Sequence, residues 1–549
     1  MFRRLKRQFD LAGGRLPFFA PFLADENDAA VLAMQPETLP DSMPGPARRV
    51  RKRAVWGAIA AALILLTPLL AYWPTIFHYY GLRDSYSNLR EAHEEPGKLM
   101  RFCASHARPI YGWLLEVSLS RIDTIRELQW MRLLSALLLG AVSLVSYRLL
   151  RRIGWSVGFS LLLALWLGLL PSAQVFVGWE IGWPYSVAVL LTLAAFWLVE
   201  GKRATAGDAM QANPGRLAGA VVLVAASALV YQPNALFYTV PLTALVGFRR
   251  RGEERPILRR IWPHVAVVGA GLALAYATIR LCYAYGIFRT SARIAFESQW
   301  IGKLRWFVTE PLPNALSFFV INDDHRRDHT GYLLGAIAAG VIILAGVAWE
   351  WHRRGRARGM VWLDGLLGLP LLAFAISLVA AEHYATYRTI LPLSGVLLCW
   401  LLISLHSLFG HIGSGAKRLA AFGLIASALL VARHRAYALL AVPQGNEWQL
   451  ILEGAAKVRL DADRPTIFAI EPSVDDISTT TIYHDEFGSL SSNSEWVPKE
   501  MFKRAMHDLH PEVPQLDQRY RFASGWRLPS TGHFDVIIDL RMLRKMRPD

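Results

Sequence analysis

The chain has 549 residues, of which 53% are hydrophobic and 19% are charged. Soluble proteins carry about a quarter charged residues, and the shortfall here is concentrated in apolar runs of about twenty residues, each long enough to cross a bilayer core. An ordinary soluble protein is therefore excluded. The net charge of +16 does not point to nucleic acid, because the basic residues lie between the apolar runs, where the positive-inside rule puts them.

In chain order, residues 1–54 open on Arg3, Arg4, Lys6 and Arg7 and close on "ARRVRKRA" before the first apolar run. A secretory signal would be shorter, with its apolar region nearer the start. The segment therefore reads as a basic, flexible cytoplasmic N-terminal stretch ahead of an uncleaved anchor. Spans are expected to begin near Val55, Trp130, Trp155, Pro184, Leu217, Ala235, Ile261, Gly331, Val361, Ile390 and Leu419, about eleven in all. The connections "YRLLRRIG", "EGKRATAGDAMQANPGR", "FRRRGEERPILRR", "WHRRGRARG" and "HIGSGAKR" are all basic and all fall on the N-terminal side. On the opposite side, "PSAQVFVGWEIGWP", "YQPN" and "AEHYATYRT" hold a single Lys or Arg, Arg388. This alternation predicts a cytoplasmic N-terminus, and the odd number of spans puts the C-terminal segment on the far side, the periplasm of a bacterial inner membrane.

The expected organisation is a transmembrane domain over 55–433, with a first far-side loop at 75–129 and a later one at 284–330, followed by a soluble far-side domain over 434–549. In that tail "RPTIFAI" and "FDVIIDL" read as buried strands, while "NEWQLILEGAAKVRL" and "EWVPKEMFKRAMHDL" read as helices. The fold class is thus an all-α polytopic membrane protein with a small C-terminal α/β domain. No repeat of fixed period, P-loop or dinucleotide fingerprint is present. The three cysteines, Cys103, Cys282 and Cys399, show neither metal-site nor disulfide spacing.

Several far-side residues are candidates for chemistry. Asp84, in "YYGLRDSYSN", comes soon after the first span, in a stretch that is also good material for capping a helix. Beside it stands Arg83, and further along are His106 and Arg108 in "SHARPIYGWLLE", which suit either an anionic ligand or lipid headgroups. Glu180 stands between Trp179 and Trp183; an acid there must be paired or wet, and it suits an acceptor sugar, a second acid or the interface water. Tyr231 and Gln232 precede Pro233 and break a helix at the membrane surface, which is tolerated where the backbone lines a cavity. Arg388 suits a ligand phosphate or a snorkelling position. Two dense polar stretches, "INDDHRRDHTG" and "TIYHDEFGS", are expected to be solvated loops.

The order of these pieces resembles the GT-C superfamily of membrane glycosyltransferases. The acid after span one, the "ARP" element, the Arg in "MRLLSALLLG", the Tyr-Gln of "ALVYQPNALFYTVPL" and the Arg of "HYATYRTILPLSGVLL" are most similar to the O-antigen-modifying glucosyltransferase group. The resemblance covers 55–433 in short, scattered motifs and does not extend to the tail. It implies transfer of a sugar from a polyprenyl-phosphate donor to a glycan or lipid acceptor at the cell envelope. On that reading Asp84 takes the proton of the attacking hydroxyl. Arg83, His106, Arg108 and Arg388 answer the charge gathering on the leaving phosphate, and Glu180, Tyr231 and Gln232 complete the binding site. Side-chain cations suffice for that task, so no cofactor is required, although a divalent metal is compatible with it. Two other readings stay open: a polymerase or ligase of O-antigen type, using Arg289, Arg293 and Arg305 in the later loop, and a non-enzymatic transporter or flippase of lipid-linked sugars.

Overall fold

The computed structural model describes residues 46–200, 214–247, 257–291, 295–322, 330–461, 464–472 and 486–544. The far N-terminal stretch, most of two of the basic connections, Arg293, the "DDHRRDH" of the later loop and the start of "TIYHDEFGS" lie outside them. The chain divides into two units, Met1–Ile64 and Leu65–Asp549. In the first, the described residues are helical from Pro46 onward. The second holds the rest of the helix array and the tail.

Helix α1 (Pro46–Phe77) is succeeded by three short helices, α2 (Asp84–Glu94), α3 (Lys98–Ser105) and α4 (Pro109–Leu119), within the connection to the next long helix. Next come α5 (Leu128–Ile153), α6 (Val157–Leu167), α7 (Pro171–Gly178), α8 (Trp183–Glu200), α9 (Pro214–Val230) and α10 (Thr239–Gly247). The series continues with α11 (Ile257–Ala284), α12 (Trp300–Thr309), α13 (Pro311–Leu316), α14 (Thr330–Arg354), α15 (Arg356–Ala373) and α16 (Ala375–Val379). It ends with α17 (Leu391–Phe409), α18 (Ser414–Arg435), α19 (Val442–Ala455) and, in the tail, α20 (Val497–Leu509).

The protein is a multi-pass helical membrane protein, and a helix stands at each of the eleven expected spans. Their quality is uneven. Among the described residues seven are long and apolar enough to cross a membrane, and an eighth forms if α6 and α7, bent by 50° at their junction, count as one. The bend falls at Pro171, which cannot supply the backbone donor that a continuous helix needs. Helix α9 is apolar but short. The expected span from Ala235 is broken by Pro233 and a 3-10 turn at Leu236–Tyr238 before α10 begins. Helix ends reflect local chemistry: α5 stops at Gly154, whose φ of 110° favours glycine, and the Ser156 hydroxyl accepts from the Phe159 amide to start α6. Where α14 meets α17, a Cβ on Gly346 would lie 2.3 Å from Ser404 Cβ, so only glycine permits this approach.

The tail departs from expectation at its boundary. Helix α18 continues through a π-helical turn at Ala436–Ala441 into α19, so position 434 lies inside one helical run. Beyond it, β1 (Thr466–Ile470) is the centre of a three-stranded parallel sheet, flanked by β2 (Arg521–Gly525) and β3 (Val536–Asp539). Strands β1 and β3 fall on the two apolar runs; β2, "RFASG", is half exposed and has no apolar run to announce it. Helix α20 packs on α19 and on α2, bringing the tail against the connection between α1 and α5.

Candidate functional site

The site is built from the connections on one side of the helix array. Helix α1 ends with its last carbonyls lacking helical partners, and the fully buried Arg132 of α5 supplies them. Its guanidinium donates to the carbonyls of Ile76 (3.0 Å), His78 (2.8 Å) and Tyr80 (3.0 Å). It also lies 4.2 Å from the Tyr80 ring centre and 3.7 Å from Glu180 Oε2. The chain leaving span one is thereby fixed before it reaches Asp84.

The turn into α2 is tightly held. The Ser85 hydroxyl donates to the Leu82 carbonyl at 2.7 Å, and the Tyr86 hydroxyl to that of Gly81 at 3.0 Å. Arg83 has φ 45° and ψ −102°, a conformation L-residues rarely adopt. It is secured through its amide to Ser491 Oγ (2.8 Å) and through Nη2 to Ser489 Oγ (2.7 Å). Asp84 is the first residue of α2, half buried, with its charge at the favourable helix end. Glu180 and Cys103 both lie within electrostatic reach of it.

The second strained turn is "SHARP". Ala107 has φ 61°, and Arg108 leads into α4, whose first turn is started by Pro109. Helix α4 lies so close to α3 that a Cβ on Gly112 would stand 2.8 Å from Met100 Cα. The Arg108 Nε donates to Gln232 Oε1 at 3.1 Å, and its guanidinium stacks 4.7 Å from the Tyr231 ring centre. Gln232 Nε2 donates back to the carbonyls of Ala107 (2.8 Å) and His106 (3.3 Å). The His106 ring faces its own helix instead, with Nδ1 3.0 Å from the Phe102 carbonyl, so His106 enters the site through its backbone.

Two sets of aromatic rings surround these parts, one beside Tyr231 and one around Arg388. Tyr111 stacks on Tyr185 at 5.5 Å, and Tyr185 meets Tyr231 at 4.3 Å. The Arg388 guanidinium lies 4.5 Å from the Trp179 ring centre and donates to the Tyr384 hydroxyl. Its Nε is 3.5 Å from Glu486 Oε1. Burial works against this cation, but Glu486 and the surrounding tyrosines Tyr185, Tyr384 and Tyr231 hold its pKa well above the ordinary arginine value. Burial pushes the nearby Cys103 thiol up to about 12, against the opposing effect of Arg108.

The residues singled out in the sequence are therefore distributed unevenly. Arg108, Gln232 and the buried Tyr231 contact one another, and Arg388 lies within electrostatic reach of Tyr231; Arg83 and Asp84 stand at the start of α2, tied to the Ser489–Ser491 segment that also carries Glu486 to Arg388. Glu180 is fully buried, with Arg132 as its ion-pair partner, a support under the site rather than an exposed wall.

The segment "TIYHDEFGS" corrects the expectation of a solvated loop in its described part: Glu486 and Phe487 have no exposed surface. The buried Glu447 of α19 organises the adjoining turn, accepting from the amides of Ser491 (2.9 Å) and Ser492 (2.8 Å). Arg289 and Arg305 of the later loop are exposed. That loop instead braces the Arg388 connection: Phe296 pairs with Ala380, and Lys303 donates to the Glu382 carbonyl at 2.8 Å.

A separate cavity of about 440 Å³ lies between α2 and α20. Its charges answer one another, with Arg90 on Glu500 at 2.8 Å and Lys503 on Asp517 at 3.0 Å. Among the described residues no group of three or more His, Cys, Asp or Glu side chains is arranged to hold a metal ion.

No family model and no curated protein matches the chain. Solved structures similar to it include the archaeal oligosaccharyltransferase AglB from Archaeoglobus fulgidus in complex with an inhibitory peptide and a dolichol-phosphate. That match has 12% identity and a TM-score of 0.40, and covers 83% of this chain and 64% of that one. A second structure, the Archaeoglobus fulgidus oligosaccharyltransferase in complex with Zn and sulfate, matches at 12% identity and a TM-score of 0.39, covering 86% and 62%. The chain spans less than two thirds of the length of either.

Proposed function

We propose that the protein is a GT-C-type membrane glycosyltransferase that passes a sugar from a polyprenyl-phosphate donor to a glycan or lipid acceptor on the far, periplasmic face. The observation that carries this reading is that three separate connections bring Arg108 onto Gln232 and Tyr231 and set Arg388 within electrostatic reach of Tyr231, while the segment that reaches Arg388 through Glu486 also holds the turn that presents Asp84. Two guanidiniums held by aromatic rings suit a lipid phosphate. In this reaction the acceptor oxygen bonds to the anomeric carbon while the bond from that carbon to the phosphate oxygen breaks. The electron pair goes to the phosphate, where Arg108 and Arg388 meet the new charge. The acceptor proton goes to Asp84. The arginines supply the required positive charge without a cofactor, and the acceptor's place is the side of the sugar facing Asp84. The later loop supports the polymerase or ligase reading less well, because Arg289 and Arg305 face away into exposed positions.

The test is turnover by the purified full-length chain in nanodiscs, given radiolabelled polyprenyl-phosphate sugars and envelope glycolipid acceptors. We expect Asp84→Asn to lower turnover by about 10² to 10⁴-fold, the usual contribution of a positioned acid or base. Full activity in both Asp84→Asn and Asp84→Ala would remove Asp84 from the mechanism. Movement of the labelled lipid across the membrane without a transferred product would indicate a flippase instead.

A further inference from the structure

The contact between Arg388 and Glu486 has features of a provisional pairing. Among the described residues Glu486 is the one carboxylate within 4.0 Å of the Arg388 guanidinium. The approach to Nε, at 3.5 Å, is long beside the roughly 2.7–2.9 Å of a strong charge-assisted bond and far from the two-pronged geometry arginine prefers. The same guanidinium is held in place independently, by Trp179 on one face and the Tyr384 hydroxyl at Nη2.

Glu486 is not there by chance of a loose loop. Its segment is anchored at several points: the Gly488 amide donates to the Leu439 carbonyl at 2.7 Å, and Gln444 Nε2 to the Ser489 carbonyl at 2.5 Å. Phe487 packs edge-on against Tyr387, the residue before Arg388, at 5.4 Å. Ser489 and Ser491 are bonded to Arg83 on the far side of the turn that bears Asp84. The tail thus delivers a fully buried carboxylate to the cation that the proposed reaction reserves for phosphate.

We propose that Glu486 is an internal competitor for Arg388, occupying the phosphate subsite when no lipid phosphate is bound and weakening the hold on the phosphate that leaves after transfer. This rests on the reading of Arg388 as a phosphate ligand. The donor is a phosphate diester with one negative charge, whereas the product is a monoester carrying between one and two at neutral pH. Without a nearby opposing charge, two arginines would bind the product more firmly than the donor, and release would limit turnover. A carboxylate fixed beside Arg388 reduces that difference. It also supplies a counter-charge that a buried cation requires in the empty site.

The experiment measures binding of farnesyl phosphate, and separately of inorganic phosphate, to the full-length chain in nanodiscs, with thermal unfolding as a check on folding. Glu486→Gln is expected to bind farnesyl phosphate about tenfold more tightly, as removal of one negative charge a few ångströms from another predicts. In turnover assays the KM for donor and the kcat should then fall together, because release has slowed. Glu486→Asp, which keeps the charge but withdraws it by one methylene, should fall between wild type and Glu486→Gln and serves if the glutamine variant does not fold. An equal gain with inorganic phosphate assigns the effect to the phosphate group alone; a gain with farnesyl phosphate only assigns it to the lipid-borne group. Unchanged or weaker farnesyl phosphate binding in folded Glu486→Gln and Glu486→Asp, with binding lost in Arg388→Gln, would overturn the competitor role and leave Glu486 as a counter-charge for folding. Wild-type binding in Arg388→Gln would overturn the phosphate assignment of Arg388 itself.

Discussion

Arg132 is the cation most easily mistaken for a catalytic one, and replacing it with Met separates the two roles. The side chain is fully buried and its three donor contacts all go to main-chain carbonyls, those of Ile76, His78 and Tyr80. Methionine of similar length leaves these carbonyls with no donor, at about 1–3 kcal/mol each. It also leaves Glu180, whose ion-pair partner Arg132 is, as an uncompensated buried charge, at about 3–5 kcal/mol. Together these costs are comparable with the whole stability of a typical protein, about 5–15 kcal/mol. Arg132→Met is therefore expected to give low membrane levels and no cooperative melt in detergent. Adding Glu180→Gln removes the charge penalty but not the carbonyl penalty, so the double variant should regain part of the stability, while Glu180→Gln alone, which leaves Arg132 without its counter-charge but with its three carbonyl acceptors, should melt between wild type and Arg132→Met. The assay is thermal unfolding of purified protein tracked by tryptophan fluorescence. If Arg132→Met melts within about 2 °C of wild type, a shift too small for a loss of this size, and loses only turnover, Arg132 is a ligand of the substrate and the carbonyl contacts carry little weight.

The cluster gives two further expected outcomes. Arg108→Lys keeps the charge but loses both the fork directed at Gln232 and the stacking on Tyr231, so the donor KM should rise about tenfold, while Arg108→Gln should lower kcat/KM by about 10² to 10³-fold. Because the two side chains act through one bond, the loss in Arg108→Gln combined with Gln232→Ala should be less than the product of the single losses; independent effects would show that Gln232 does not position Arg108. Cys103, its thiol pushed up to about 12 by burial, should react with iodoacetamide at pH 8 roughly a thousandfold more slowly than an ordinary thiol and at the ordinary rate once unfolded, as mass spectrometry of the labelled peptide would reveal.

How much of the molecule was legible in the sequence depended on whether a residue's neighbours decide its fate locally. Spans were legible because length, apolarity and the alternation of Arg and Lys between connections are properties of contiguous stretches. Arg108, Tyr231, Gln232 and Arg388 stand out in the sequence because each is a polar residue in a connection between apolar runs, but that Arg108 bonds to Gln232 and stacks on Tyr231 depends on how those connections pack. Glu486 does not stand out. In "TIYHDEFGS" it has the composition of a wet loop, and what buries it is Arg388 together with the anchoring of the neighbouring segment on α19. Arg132 was visible as an arginine opening a span, but its work depends on the carbonyls left over where α1 ends. Those become acceptors only after α1 and α5 have packed. His106 shows the opposite failure, a residue type suited to phosphate whose ring is taken by the end of its own helix.

The tail and the connection between α1 and α5 hold one turn together. Arg83 adopts a backbone conformation that costs roughly 1–3 kcal/mol, and such a residue persists only where its surroundings hold it. Those surroundings are Ser489 and Ser491, which belong to the tail, and Ser491 is in turn held by Glu447 and Gln444, at α19. Asp84 comes directly after Arg83, so the direction of the proposed base is set by residues some four hundred positions further along the chain. Helix α19 is itself the continuation of the last span. A shift of that span relative to the others therefore moves Glu447, then the serines, then the strained turn, and with it the carboxylate of Asp84. The same displacement carries Glu486 relative to Arg388, so the turn that bears Asp84 and the Arg388–Glu486 pair are linked through one short run of serines.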